Sequence, residues 1–113
     1  MFTGMKLSRI KRLSEHKHCA GILSCCKDED PQVRIAAAEG LAKVGTDECN
    51  NALINMLRDK DIQVKTAAVK ALGEIREFHS SAFISHEMEE SKDEAFIAAC
   101  RQALSAIHED GHA

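Results

Sequence analysis

Apolar residues recur along the chain at helical spacing, and the whole pattern repeats every 31 residues, the offset between Asp30 and Asp61. Segment 30–44 is echoed by segment 61–75, and in both the apolar residues fall on one face of a helix. A shorter apolar pattern precedes each segment, formed by Ile22, Leu23 and Cys26 and then by Leu53, Ile54 and Leu57. The pattern therefore predicts two helices in each repeat, with Leu41, Leu72 and Ile54 in the core.

Helix boundaries follow from the residues between the apolar segments. Asp30 precedes Pro31, which is typical of an N-cap followed by a first-turn proline, and Gly45 can end the same helix. Seven helices are predicted, near 5–14, 16–27, 31–44, 47–59, 62–76, 79–90 and 93–108. A single helix pair cannot bury its apolar face alone, so the units must stack. We expect one all-α domain, 1–113, with repeats near 15–45, 46–76 and 77–108 after a half-repeat at 5–14.

Two segments carry a more specific pattern, Val33-Arg34-Ile-Ala-Ala-Ala38-Glu-Gly-Leu41-Ala-Lys-Val44-Gly45 and Val64-Lys65-Thr-Ala-Ala-Val69-Lys-Ala-Leu72-Gly-Glu-Ile75. They resemble the HEAT repeat family, and most closely the short HEAT-like repeats also found in phycobilisome (PBS) lyases. The acidic turns Asp28-x-Asp30 and Asp59-x-Asp61 are similar to the inter-helix turn of that branch. The resemblance implies a right-handed α-solenoid, in which Arg34 and Lys65 reach acidic residues of these turns.

The resemblance also implies that the second helix of each pair lines a concave surface. The outward positions on these helices are the candidate partner-binding residues: Gln32, Ile35, Ala36, Glu39, Lys43, Gln63, Thr66, Ala67, Lys70, Glu74, Ile97, Ala98 and Arg101. Ile35, Ile62 and Ile97 are not needed for the repeated core face, so exposure of some of them is expected. A narrow groove of this kind suits an extended peptide or an amphipathic helix. We predict a non-catalytic scaffold that binds a protein or peptide. The alternative is that these are surface residues without a binding role, or that Ile35 and Ile97 pack between units.

The chain has five cysteines, an odd number, and its first residues lack the apolar region of a signal peptide, so we expect no secretion, reduced thiols and no disulfide framework. Cys26 and Cys100 align with apolar core positions of other repeats. His18 and Cys49 occupy equivalent positions in adjacent units and can converge with Cys19. His18, Cys19 and Cys49 are therefore the candidate metal ligands, since imidazole and thiolate suit zinc or copper. They define one alternative function, a metal- or redox-responsive module; otherwise they are solvated residues at helix starts.

The sequence lacks the motifs of an enzyme site, because Ser-His-Asp spacing, a Gly-rich phosphate loop and a CxxC pair are all absent. His86-Glu87 is similar to the pairs of deoxyhypusine hydroxylase, an iron enzyme built from HEAT-like repeats. That family uses several such pairs to hold its metals, and His86-Glu87 alone cannot supply them. We therefore expect no catalytic residue, no cofactor and no metal. An accessory subunit of a lyase-type enzyme complex is the remaining enzymatic alternative.

Charge is distributed unevenly along a chain whose net charge is −3. Residues 1–27 are strongly basic, whereas the remainder is acidic. The basic end can attract an acidic partner or the acidic end of another copy. Trp and Tyr, the best base-stacking side chains, are absent, and no apolar run is long enough to span a membrane. The expected partner is a protein or peptide, without nucleic acid or membrane insertion. We expect a cytoplasmic monomer or weak homo-oligomer.

Overall fold

The computed structural model describes residues 2–109, and within them every regular element is a helix. The helices are α1 (Phe2–Glu15), α2 (Cys19–Leu23), α3 (Pro31–Val44), α4 (Asp47–Met56), α5 (Ile62–Glu74), α6 (Ser81–Glu90) and α7 (Glu94–Glu109). One turn of 3-10 helix, Phe78–Ser80, lies between α5 and α6. The all-α fold class is therefore confirmed. The predicted domain of 1–113 extends beyond the described residues at both ends.

Capping residues explain where α3 and α5 begin. Asp30 has an extended backbone, and its Oδ1 accepts a hydrogen bond from the Gln32 N–H at 2.8 Å. Asp61 caps α5 in the same way, accepting from the Gln63 N–H at 2.8 Å. α3 ends at Gly45, whose φ of +74° lies in the left-handed region that glycine enters without strain. The predicted bounds of α3 are confirmed.

The helices form two layers. α1, α3, α5 and α7 pack side by side in the first layer. In the second, outer layer, α2 packs on α1 and α3, α4 on α3 and α5, and α6 on α7. The resulting slab measures 42 × 30 × 16 Å, thin because it is two helices deep. This arrangement matches a helical solenoid, while its right-handed sense stays a prediction.

The core lies between the two layers. Its fully buried side chains include Ile22, Val33, Leu41, Leu53, Leu57, Val64, Leu72, Ile84, Phe96 and Ile107. Cys100 is fully buried, as its alignment with core positions predicted. Cys26 and Ile54 are half-buried and pack against the core from its edge. The prediction of a core position for Ile54 was therefore too strong.

α2 and α4 are shorter than predicted. They end at Leu23 and Met56, although the apolar pattern extended them to 27 and 59. After each helix the chain continues in tight turns, with hydrogen bonds such as that from the Leu57 N–H to the Ile54 carbonyl at 3.1 Å. Leu57 is still only 1% exposed, so the apolar pattern continues past the last α-helical residue. The other helix boundaries agree with prediction within about three residues.

Arg34 links two successive inter-helix turns. Arg34 is 4% exposed, and its guanidinium donates to both carboxylate oxygens of Asp59, from Nε at 2.9 Å and from Nη2 at 3.1 Å. Its Nη1 donates to the backbone carbonyls of Asp28 at 2.7 Å and Glu29 at 3.2 Å. Arg34 therefore reaches the acidic turn as the family resemblance implied. We call these contacts the Arg34 link.

Lys65, the equivalent residue one repeat later, makes a different contact. Its Nζ pairs with Glu87 on α6 at 2.9 Å and lies 5.0 Å from the centroid of the Phe96 ring. The expectation that Lys65 reaches an acidic turn residue was wrong. The residue one repeat after Asp59, the partner of Arg34, is Glu90, which belongs to α6 and not to a turn, and Lys65 pairs with Glu87 one helical turn earlier on the same helix.

The basic helix α1 is tied to the first acidic turn. Lys6 Nζ donates to Asp28 Oδ2 at 2.8 Å, and the Thr3 hydroxyl donates to Asp30 Oδ2 at 2.5 Å. The hydrogen bond from Lys6 lowers the pKa of the Asp28 carboxyl, and that from Thr3 lowers the pKa of Asp30. Part of the positive charge of residues 1–27 is thus used within the fold.

Candidate binding groove

A groove crosses the layer formed by α1, α3, α5 and α7. Its main cavity, of about 920 Å³, lies between α3 and α5 and reaches the start of α7. We call it the α3–α5 groove; its lining residues are Ile35, Glu39, Ala42, Lys43, Ile62, Gln63, Thr66, Ala67, Lys70, Ala71, Glu74, Ile75, Asp93 and Ala95. A smaller cavity, of about 330 Å³, lies between α1 and α3. Ile35, Glu39 and Lys43 line both cavities, so the two are neighbours.

The structure divides the predicted partner-binding residues into three groups. Those that line the α3–α5 groove are Ile35, Glu39, Lys43, Gln63, Thr66, Ala67, Lys70 and Glu74. Gln32 and Ala36 line the smaller cavity instead. Ile97, Ala98 and Arg101 on α7 line neither cavity. The predicted surface is therefore brought together on α3 and α5, whereas a further cavity of about 380 Å³ between α5 and α7 is lined by other residues of α7, among them Ala99 and Ala103.

The α3–α5 groove combines apolar surface with free charge. Ile35 and Ala67 are half-buried, and Ile62 is 37% exposed, which confirms the expectation that part of the isoleucine set is exposed. The charged lining residues Glu39, Lys43, Lys70 and Glu74 are all exposed. Within residues 2–109, none of these four side chains makes an ion pair. Charges of both signs are therefore available to a binding partner.

Sequence reasoning omitted several lining residues from the predicted set: Ala42, Ile62, Ala71, Ile75, Asp93 and Ala95. Ala71 and Ile75 lie four and eight positions after Ala67, so the helical period of α5 was a usable signal for them. Asp93 and Ala95 lie at the start of α7, where no local pattern indicates the approach to α5. Their position depends on how α7 packs on α5.

The predicted convergence of Cys19 and Cys49 is found, but as a disulfide. Their Cα atoms are 6.1 Å apart, within the range that a disulfide spans. The expectation of reduced thiols was wrong for this pair, because the two helix starts come together across adjacent repeats. His18 is not part of the bond; its Nδ1 accepts a hydrogen bond from the Gly21 N–H at 3.1 Å and caps α2. Among residues 2–109, no group of three or more His, Cys, Asp or Glu is placed to hold a metal ion.

The His86-Glu87 pair lies beside another cleft, of about 620 Å³, between the outer helices α4 and α6. Glu87 is already engaged by Lys65 at 2.9 Å, so its carboxylate is neutralised within the fold. Phe83 lines the same cleft and is 55% exposed. Sequence reasoning did not identify this cleft, because the position of Phe83 in the hydrophobic pattern does not show whether its side chain lies in the core or is exposed.

Comparison with known proteins gives a family-level match. A family model described as HEAT repeats matches residues 20–107, which run from α2 into the last turns of α7. A search of curated proteins finds no match for the chain. Across residues 2–109, no helix has both the length and the apolar character required to cross a bilayer.

Proposed function

The chain belongs to the HEAT repeat family, and on that premise we propose that it is a non-catalytic scaffold whose α3–α5 groove binds a segment of another protein. HEAT repeats generally mediate protein interactions. The family is generally a non-catalytic scaffold, which agrees with the absence of enzyme motifs from the sequence.

The observation that carries the proposal is the coexistence of apolar surface and free charge in one groove. A partner segment with an apolar face can bury Ile35, Ile62 and Ala67, which releases water from apolar surface. Basic and acidic residues flanking that face can pair with Glu39 and Lys70, which fixes the orientation of the segment. The complementary ligand is thus an amphipathic or extended peptide with charges of both signs beside its apolar residues.

The proposal also covers location and assembly. A cytoplasmic protein that is monomeric or weakly self-associating would leave the groove open to its partner. Light scattering during size-exclusion chromatography measures the oligomeric state directly. A closer relation to the PBS lyase repeats, and a role as an accessory subunit of a lyase complex, stay predictions.

The test compares the native chain with an Ile35→Asp/Thr66→Asp variant. Two carboxylates in the apolar part of the groove should abolish binding, because a bound segment would have to desolvate them. The matched control is Ser8→Asp/Ser105→Asp, which adds the same charge at exposed positions of α1 and α7 away from the groove. Partners are captured from source cells, identified by mass spectrometry, and then titrated as purified protein by calorimetry.

A charge exchange provides a second variant with little risk to the fold. Glu39→Lys/Lys70→Glu keeps the net charge and changes only exposed side chains without ion pairs. Its affinity for the captured partner should fall by about tenfold or more, equivalent to about 1.4 kcal/mol. Equal partner affinity for the native chain, the groove variants and the control, all folded by circular dichroism, would overturn the proposal.

A further inference from the structure

A disulfide joins the starts of two consecutive outer helices. Cys19 is the first residue of α2, and Cys49 lies in the first turn of α4. α2 has only five residues, and apart from the disulfide it makes few close contacts with α4. The disulfide is therefore a main tie between these two helices.

The two cysteine residues differ in burial. Cys49 is fully buried in the core, whereas Cys19 is half-buried at the start of a short helix. A thiolate from solution can approach Cys19 Sγ from outside, but it can reach Cys49 Sγ only if the helices move apart. Because exchange requires attack on an accessible sulfur atom, it must begin at Cys19.

The remaining thiols are poorly suited to react. Cys25 and Cys100 are buried, and Cys26 is half-buried. Burial raises the pKa of the Cys26 and Cys100 thiols to about 11, so both are protonated at neutral pH. Since the thiolate is the reactive form, these residues act as internal controls for any chemistry at the disulfide.

We infer that the Cys19–Cys49 disulfide is an exchange site for low-molecular-weight thiols of the glutathione class, and that it opens at Cys19. A thiolate attacks Cys19 Sγ and forms a new S–S bond. The Cys19–Cys49 bond breaks, and its electron pair leaves on Cys49 Sγ, which takes a proton from water. A second thiolate attacks the outer sulfur of the mixed disulfide and releases Cys19, which is protonated in turn. The protein gains two electrons, and two small thiols become one small disulfide.

Opening the site changes how the first outer helix is held. After reduction, only non-covalent packing on α1, α3 and α4 keeps α2 in place. A five-residue helix is far below the length at which an isolated helix is stable, so the segment becomes a unit that opens locally. This inference concerns the outer layer and does not depend on what the α3–α5 groove binds.

In the test, the full chain is equilibrated in glutathione buffers whose redox potentials range from that of an oxidising secretory compartment to that of a reducing cytoplasm. Free thiols are then trapped by alkylation under acid quench and located by mass spectrometry. Cys19 and Cys49 should change together from fully disulfide to fully dithiol, while Cys25, Cys26 and Cys100 acquire no glutathione. Hydrogen exchange should show that amide protection in α2 is lost on reduction while protection in α5 is retained.

Two single variants test the direction of opening. With oxidised glutathione, Cys49→Ser should form one adduct, on Cys19, whereas Cys19→Ser should form none on the buried Cys49. A pair that stays disulfide-bonded in the most reducing buffer is a permanent cross-link and overturns the inference. Adducts that form equally fast on Cys49, or on Cys25, Cys26 or Cys100, overturn it as well. The titration of the unsubstituted chain shows whether the disulfide can be reduced, even if either variant fails to fold.

Discussion

Replacement of Arg34 by alanine should remove the contact that joins two inter-helix turns. The native residue is 4% exposed, and its guanidinium makes four hydrogen bonds, two to the Asp59 carboxylate and one each to the carbonyls of Asp28 and Glu29. In the variant, a carboxylate with 12% side-chain exposure and two backbone carbonyls lose their donor. The loss is therefore that of a buried charge pair broken from one side.

The magnitude follows from this geometry. Removing one partner of a buried ion pair costs about 3–5 kcal/mol, because the remaining charge is left without compensation. For a chain of 113 residues, the entropy of unfolding is on the order of 240 cal/mol/K, so Tm should fall by roughly 13–21 °C. Arg34→Lys should recover only part of this, because an ammonium cannot reproduce the paired hydrogen bonds to Asp59.

The assay is thermal and urea denaturation followed by circular dichroism, with Lys6→Ala as the control. Lys6 pairs with Asp28 in the preceding turn, but its side chain is 46% exposed, so its removal should have a much smaller effect. A double-mutant cycle with Asp59→Asn isolates the pairwise energy. If Arg34→Ala is destabilised by less than about 1 kcal/mol, or no more than Lys6→Ala, the argument for a buried link between the turns is refuted.

Two further pairs of substitutions test the packing. A Cβ at Gly73 would lie 2.8 Å from Ala103 Cα, so Gly73→Ala must separate α5 from α7 and should cost roughly 1–3 kcal/mol in urea denaturation. A Cβ at Gly4 would meet nothing within 4 Å, so Gly4→Ala should raise the free energy of unfolding by roughly 0.5–1 kcal/mol through helix propensity. If the Gly73→Ala variant is as stable as the Gly4→Ala variant, the close packing of α5 on α7 is contradicted. Leu72→Ala removes a fully buried side chain and should cost about 2–5 kcal/mol, whereas half-buried Ile54→Ala should cost less. Equal Tm losses for Leu72→Ala and Ile54→Ala would show that the assignment of the core is wrong.

Most of the fold could be predicted from the sequence because local and repeated signals agree. Both ends of α3 were predictable, since Asp30, Pro31 and Gly45 fix them by local capping. The ends of α2 and α4 were not, because apolar side chains such as Leu57 reach the core from the tight turns that follow each helix. Hydrophobic spacing reports which side chains are buried and does not distinguish an α-helix from the turn that continues it.

The candidate site was predictable where it depends on one helix and not where it depends on two. The outward-facing residues of α3 and α5 follow from helical period. On α7, however, the cavity beside α5 is lined by Ala99, Gln102 and Ala103 and not by the predicted residues. The α7 residues that line this cavity depend on how closely α5 and α7 approach at Gly73 and Ala103, which spacing within either helix does not reveal. The disulfide was missed for a similar reason. Cys49 is one position out of the 31-residue register with Cys19, so the two pair diagonally across repeats rather than at equivalent positions.

The links between repeats explain why the groove has a defined shape at α3 and α5. The disulfide joins the starts of α2 and α4, and the Arg34 link joins the turns that follow those helices. The contact between these two repeats is therefore fixed at both ends of the outer helices α2 and α4. The next junction has the Lys65–Glu87 ion pair, and a cleft of about 620 Å³ remains between α4 and α6. Because α3 packs against α2 and α4, its position relative to α5 depends on both ties of the first junction. Loss of the disulfide and loss of the Arg34 link should therefore be non-additive in their effect on stability, since each removes a constraint on the same pair of repeats.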